Sequence, residues 1–341
     1  MKPKGLIGLV VATAVAVIVA IVLAANGGSS ASDPQSGKAV LPELTQRAKD
    51  IARLTLVHGE SKTTLQRKGD QWLVEEKSGY PADPAKVRQV LLGLAELRYV
   101  EAKTRKPDLY PRIEVEDAGK KEAKSTLVTA STEKGDLLGE IIAGKHRVDQ
   151  LGGGVDGIYV RKPGDPQSWL ARGTLDLPAD TLGWLDRKVI DLPGDKVKEL
   201  VLTQADGSKL DLARDKPEDP LALKGAPANA KLKEGATTTP AEALADLELA
   251  DARPTADVTL PSEGVAHAEY TGFDGRTIKL ALVEKDGKSW ARIEANGSGD
   301  AEKPAAELNA KLAPWVYALP DYKVKALKTK LADLVAPPKG S

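Results

Sequence analysis

The chain has 341 residues, enough for two ordinary domains and a membrane anchor. Its 49 Lys and Arg balance 49 Asp and Glu, which argues against a dedicated nucleic-acid binder, whose basic surface must displace counterions from phosphate. Cysteine is absent, and this excludes disulfides, thiolate metal sites, cysteine nucleophiles and a lipidated N-terminal cysteine.

Residues 1–5 carry Lys2 and Lys4, and residues 6–25 read LIGLVVATAVAVIVAIVLAA, with Thr13 alone polar. A helix of that length spans about 30 Å, the thickness of the hydrocarbon core of a bilayer. No basic residue follows until Lys38, so the positive-inside rule puts residues 1–5 in the cytoplasm and the bulk of the chain outside a bacterial inner membrane. The alternative is a cleaved signal peptide ending near Ala24 or Ala31, whose apolar region is usually only about 7–15 residues. Residues 26–38 (NGGSSASDPQSGK) form a flexible linker.

Residues 39–193 and 194–330 are expected to be two related α+β domains, with 331–341 a C-terminal tail. Single-residue alternation predicts strands through Leu54 and Leu56, Leu65, Trp72 and Val74, with a turn at Gly69-Asp70. The second half repeats this with Leu200 and Leu202, an Asp206-Gly207 turn, then Leu210 and Leu212. A helix follows in each. Asp83 caps the first, Pro84 opens it, and Val87, Val90, Leu91, Leu94 and Leu97 form its apolar stripe. Thr239 to Glu242 reads as the capping box of the second. Further strands are expected within 125–161 and 267–293, the latter with turns at Asp274-Gly275 and Asp286-Gly287, and final helical stretches carry Leu182 and Trp184, or Leu308, Leu312 and Trp315. Residues 192–200 (LPGDKVKEL) recur as 319–327 (LPDYKVKAL), each behind a tryptophan, which points to internal duplication rather than a short solenoid. Strand runs joined by hairpins, with helices on one face, define the α+β class.

Several of these residues carry a resemblance. Gly69-Asp70-x-Trp72-x-Val74, Tyr80 to Asp83 with Val87, Leu91, Leu92, Leu94 and Leu97, residues 137–145, Tyr159 to Arg161, Trp169 and Trp184 to Arg187 are similar to the bacterial domain-of-unknown-function 4340 (DUF4340) family. The resemblance covers most of 51–200 and, more faintly, the second half. It implies a membrane-anchored extracytoplasmic protein whose gene neighbours an ABC-type transporter with a gliding-type auxiliary subunit. It supplies no catalytic residues.

The search for chemistry returns weak signals. Gly139 to His146 nearly spells a phosphate loop, but His146 stands where a Ser or Thr would hold magnesium, and the glycine-rich stretch that follows cannot continue a helix. His58, His146 and His267 lack the spacing of a helical metal pair. Gly152 to Gly154 with Asp149 and Asp156 lack the alternate ligands of a calcium loop. Trp72, Trp169, Trp184, Trp290 and Trp315 read as core rather than stacking platforms, and Lys325, Lys328 and Lys330 as a solvated face.

No catalytic, cofactor or metal residue is therefore assigned. The expected role is a non-enzymatic accessory or scaffold protein, held in the inner membrane by residues 6–25 and partnered by an ABC transporter permease or auxiliary subunit, with no nucleic acid. Two alternatives stand: a ligand-binding module for a polysaccharide, peptide or lipid in a cleft between the two domains, and a hydrolase with an unrecognised carboxylate site.

Overall fold

The computed structural model describes residues 34–148, 156–224, 232–259, 261 and 264–335. In the first half the strands are β1 (Arg53–His58), β2 (Ser61–Lys68), β3 (Gln71–Val74), β4 (Tyr80–Pro81), β5 (Arg98–Ala102), β6 (Thr126–Ser131), β7 (Leu137–Arg147), β8 (Gly157–Arg161) and β9 (Ser168–Arg172). The rest follow as β10 (Lys188–Ile190), β11 (Val197–Thr203), β12 (Lys209–Ala213), β13 (Ala222–Leu223), β14 (Leu247–Glu248), β15 (Asp251–Pro254), β16 (Ala266–Gly272), β17 (Arg276–Lys285), β18 (Lys288–Gly297) and β19 (Trp315–Ala318). Among the described residues three helices exceed a turn and a half: α1 (Pro84–Glu96), α2 (Glu302–Leu312) and α3 (Asp321–Leu327). The class is α+β, and every strand pairing within the two compact units is antiparallel.

Alternation does what it predicts. Leu54, Leu56, Leu65, Val74, Leu200, Leu202, Leu210 and Leu212 are all buried. The turns also fall where expected: Gly69 joins β2 to β3, Gly207 joins β11 to β12, and Asp286-Gly287 joins β17 to β18 with both residues at positive φ, as a tight hairpin of this kind requires.

Among the described residues the chain groups into two compact units, Met1–Glu60 with Gln89–Leu177 and Ser61–Arg88 with Pro178–Ser341. The expected boundary at Pro193 is a cut in the sequence, whereas these units are groupings in space, and 61–88 falls with the second. Within the first unit the sheet order is β1-β6-β7-β8-β9-β5. Within the second it is β11-β16-β17-β18-β19-β15, with β12 and β13 extending beyond β11. The same six-strand order thus occurs twice.

The nine-residue repeat does not follow that recurrence. Residues 192–200 lead through a 3-10 turn (Gly194–Lys196) into β11, whereas 319–327 lead into α3. The shared Val-x-x-Leu spacing suits a helix, and in α3 Val324 and Leu327 are both buried. In β11 a register shift between Val197 and Glu199 lets Val197 and Leu200 face inward together despite the odd spacing.

Two helical expectations also change. The Thr239 capping box gives a single turn (Thr238–Ala241) and a 3-10 turn (Glu242–Leu244), with no side-chain cap. The chain then reverses at Asp246, which holds φ +43. Trp315 lies on β19 rather than on a helix, and Leu182 and Trp184 form only a 3-10 turn (Leu182–Trp184). By contrast α1 keeps its cap: Asp83 Oδ1 accepts from the N–H of Ala85 (2.8 Å) and of Lys86 (3.2 Å).

The expected transmembrane segment 6–25 lies outside the described residues, and among the described residues no helix is long and apolar enough to cross a membrane. The end of the expected linker is tied to the first sheet: Gly37 N–H donates to Tyr99 O (2.8 Å), Tyr99 N–H to Lys38 O (3.0 Å) and Val40 N–H to Leu97 O (3.0 Å).

Candidate functional site

Gly139 to His146 run along β7, a strand rather than a loop opening a helix. Gly144 is needed because a Cβ there would come within 2.5 Å of the carbonyl oxygens of Ile113 and Glu114. His146 Nε2 meets Leu175 O at 2.9 Å, His58 Nδ1 meets Thr126 Oγ1 at 3.0 Å, and His267 is exposed on β16. Among the described residues no three His, Cys, Asp or Glu side chains gather to hold a metal. Asp149 and Gly152 to Gly154 lie outside the described residues. Trp184 and Trp290 are fully buried, while Trp72, Trp169 and Trp315 are half-buried, Trp169 against Tyr99 and Trp315 against Tyr80. Lys328 and Lys330 pair with Glu284 and Asp206.

The site that stands out comes from a segment the sequence left unassigned, the β5–β6 connection (residues 103–125). It contains a 3-10 turn (Pro107–Leu109) and one helical turn (Tyr110–Ile113), the prolines entering at positions where no N–H is needed. Glu114 closes the turn at φ +57. Tyr110, Ile113 and Val115 then pack on Leu127, Ile142 and Tyr159 of the sheet.

Arg161, at the end of β8, sits under this lobe with 4% of its surface exposed. Its guanidinium lies over the Tyr110 ring at 4.7 Å. Nε donates to Val115 O (2.8 Å), Nη1 to Asp165 O (3.2 Å) and Nη2 to the Asp117 carboxylate. The Tyr110 hydroxyl donates to Pro166 O (2.6 Å). These bonds answer the Arg161 guanidinium and the Tyr110 hydroxyl and fix the lobe against the β8–β9 turn. Between lobe and turn lies an open pocket of about 600 Å³, lined by Pro107, Tyr110, Pro111, Ala123 and Pro166 and by Glu116, Asp117, Lys120, Glu122, Arg161 and Asp165.

Beside it, burial and the charge of Asp165 push the Tyr99 hydroxyl up to about 12. In the second unit Asp251 is bound by Lys77 (2.6 Å), by Lys288 (3.5 Å) and by its neighbour's Ala252 N–H (2.8 Å). Burial alone would raise its carboxyl, but the bond and charge of Lys77, with Ala252 and Lys288, leave it below its ordinary value. Asp186 moves the other way, raised first by burial and also by Asp83, near Tyr80 and Tyr317, whose hydroxyls burial raises too.

A family profile described as "Domain of unknown function (DUF4340)" matches residues 72–274, well over half of the chain. The chain belongs to the DUF4340 family. The match runs from Trp72 on β3 to Asp274 in the β16–β17 turn, so in this DUF4340 member it includes the whole lobe and pocket and reaches into the second sheet. No curated protein and no solved structure shows significant similarity to the chain.

The lobe escaped sequence reasoning because its signal is neither of the regular periods. Tyr110, Ile113 and Val115 are spaced by three and then two, and no pattern ties them to an arginine some fifty residues on. The usable cue was the length of a proline-bearing connection between two strands that pair elsewhere.

Proposed function

We propose that this DUF4340 protein is a non-enzymatic, membrane-anchored extracytoplasmic accessory or scaffold protein of an ABC-type transporter complex. The observation that carries the reading is the uncharged run of residues 6–25 placed ahead of a body built on two sheets of one strand order. The recurrence supports an internal duplication, with each copy offering a separate surface for partners. The run would enter the inner membrane, with residues 1–5 cytoplasmic and the sheets outside. Family membership adds the expectation of transporter genes nearby. Topology reporters fused behind Lys38 should be active on the outer side, and affinity purification from native membranes should recover a permease or auxiliary subunit. A cytosolic reporter signal, or repeated purification without any transporter component, would remove the basis of the proposal.

A second reading, a ligand-binding module, is favoured by the pocket under the β5–β6 lobe. It lies within the first unit, and its volume falls in the range of about 300–1,000 Å³ common for small-molecule sites.

A further inference from the structure

We infer that the surface groove along residues 35–43 of the first unit binds one anionic phospholipid, its phosphate at Lys38 and Lys162 and an acyl chain beside Leu137. The source of the lipid rests on the membrane-anchored reading, whereas the site itself rests on the side chains that form it.

The groove has a polar end and an apolar end. At the polar end a depression of about 480 Å³ lies between residues 35–42 and the β8–β9 turn, lined by Lys38, Lys162, Asp165, Tyr99 and Trp169. It shares Pro42 and Lys162 with a second depression of about 330 Å³, whose walls include Leu41, Leu137, Leu138 and Pro163. Leu137, 54% exposed at the start of β7, makes that end apolar. Of the two carboxylates there, Glu140 accepts from the Thr129 hydroxyl (3.1 Å) and Glu43 stands exposed at the rim.

Three donors at the polar end are unanswered. Among the described residues neither the Lys38 nor the Lys162 ammonium meets an acceptor. Tyr99 is only 8% exposed, its ring against Trp169 at 4.8 Å between centroids. Its hydroxyl has no hydrogen-bond partner among the described residues, yet it is not sealed in and opens on the depression that Tyr99 lines. A buried phenol left in that state takes an acceptor from outside. The one carboxylate at this end, Asp165, already accepts from Gln167 N–H (2.8 Å). Donors exceed acceptors, and a phosphate diester brings oxygens while needing no donor of its own. The half-buried Trp169 beside Tyr99 is the kind of aromatic pair that suits the headgroup level of a bilayer.

The position of the groove says which anion. Residues 26–33 separate the uncharged run from Pro34, and even fully extended they reach about 28 Å. With that run in the inner membrane, residues 35–43 stay within reach of the headgroups. The apolar end then has a use that a free phosphate would leave idle.

Native mass spectrometry of the full-length protein in detergent micelles tests this. Offered equal amounts of dioleoyl phosphatidylglycerol and dioleoyl phosphatidylcholine, the protein should retain one phosphatidylglycerol about tenfold more often. The double variant Lys38→Gln/Lys162→Gln should lose that preference, and Tyr99→Phe should reduce it about threefold. Leu137→Asn should lower retention of both lipids. Lys38, Lys162 and Leu137 are exposed, so replacing them leaves the core intact. Lys198→Gln, a charge removed from β11 in the second unit, should change nothing. Equal retention of the two lipids by the parent would overturn the inference. So would a preference that survives in the double variant, because it would then belong to Lys2 and Lys4 ahead of the uncharged run. A loss in Lys198→Gln as large as in the double variant would trace the preference to general charge, and the assignment would be wrong. If glycerol phosphate displaces phosphatidylglycerol at equal concentration, the ligand is a soluble phosphate ester and the lipid assignment is again wrong. A cytosolic topology reporter with the selectivity intact would sink the anchor reading alone and leave this site standing.

Discussion

The two sheets share a strand order but cover the same patch by opposite means. Pairing can be followed outward from Leu56 through Val128 and Ile141, and from Leu202 through Ala268 and Leu280. The next residues along, Ile142 and Ala281, face Arg161 and Arg292. In this register Gly144 corresponds to Val283, and Tyr159 to Trp290. The first sheet keeps small Gly144 and roofs the patch with a long connection carrying Tyr110, Ile113 and Val115. The second has the shorter connection 255–265, which contributes Val258, and the sheet's own Val283 and Trp290 supply the remaining bulk. Volume is filled in both cases. The first solution buries its arginine, with a pocket beside it, whereas Arg292 stays partly exposed.

This contrast makes the paired positions unequal, and the largest difference should be at the arginines. Arg161→Met removes three hydrogen bonds and an aromatic contact from a buried site, and should cost about 3 kcal/mol in chemical denaturation. Arg292 has a side chain 43% exposed and meets Glu294 at 3.1 Å, at an angle that makes no hydrogen bond from Nε. Arg292→Met should stay within about 0.5 kcal/mol. Equal losses would mean that the lobe does not seal Arg161.

Next comes the glycine. Gly144→Val would drive its side chain into the carbonyls of Ile113 and Glu114 and should cost about 2.5 kcal/mol. It should also open the 103–125 lobe to proteolysis. A variant whose lobe resists cleavage like the parent would show that the lobe does not need Gly144.

The acids at the sheet edges differ as well. Glu101 on β5 and Asp251 on β15 hold corresponding positions, opposite Leu170 and Ala318. The Asp251 side chain is 9% exposed and bound by two lysines, whereas Glu101 is 57% exposed beside Lys103. Asp251→Asn should cost about 2 kcal/mol, and Glu101→Gln less than about 0.5 kcal/mol. Because the folded Asp251 carboxyl lies below its ordinary value, its stabilisation is present above the unfolded pKa of about 3.9 and is lost as pH falls through the folded value. Thermal melts of the parent should therefore drop below about pH 4 more steeply than those of Asp251→Asn. Parallel curves would deny Asp251 this role.

The smallest expected difference is at the two helix starts. Asp83→Ala removes a real cap and should cost about 1 kcal/mol. Thr239→Ala removes none, since that turn has no side-chain cap, and should be close to neutral in the same denaturation experiment.

The strands and turns were legible because alternation and Asp-Gly or Gly-Asp pairs act locally, as at Leu200, Leu202 and Asp286-Gly287. The α1 helix was legible for the same reason, with cap and stripe agreeing. The capping box at Thr239 misled because a favourable start is followed by too few residues before the reversal at Asp246. The Val-x-x-Leu repeat misled because a bulge lets a strand present the spacing of a helix. The pocket was illegible because it depends on Arg161 meeting Tyr110 and Val115, contacts that only the folded sheet brings about.

The seam between residues 37–40 and β5 has a practical bearing on any shortened version of the chain. β5 ends its sheet, and its outer row of backbone groups is answered by Gly37, Lys38 and Val40. A protein trimmed to start after Val40 would uncover that row and give neighbouring molecules a template to pair with. Trimming ahead of Pro34 keeps the selvedge stitched.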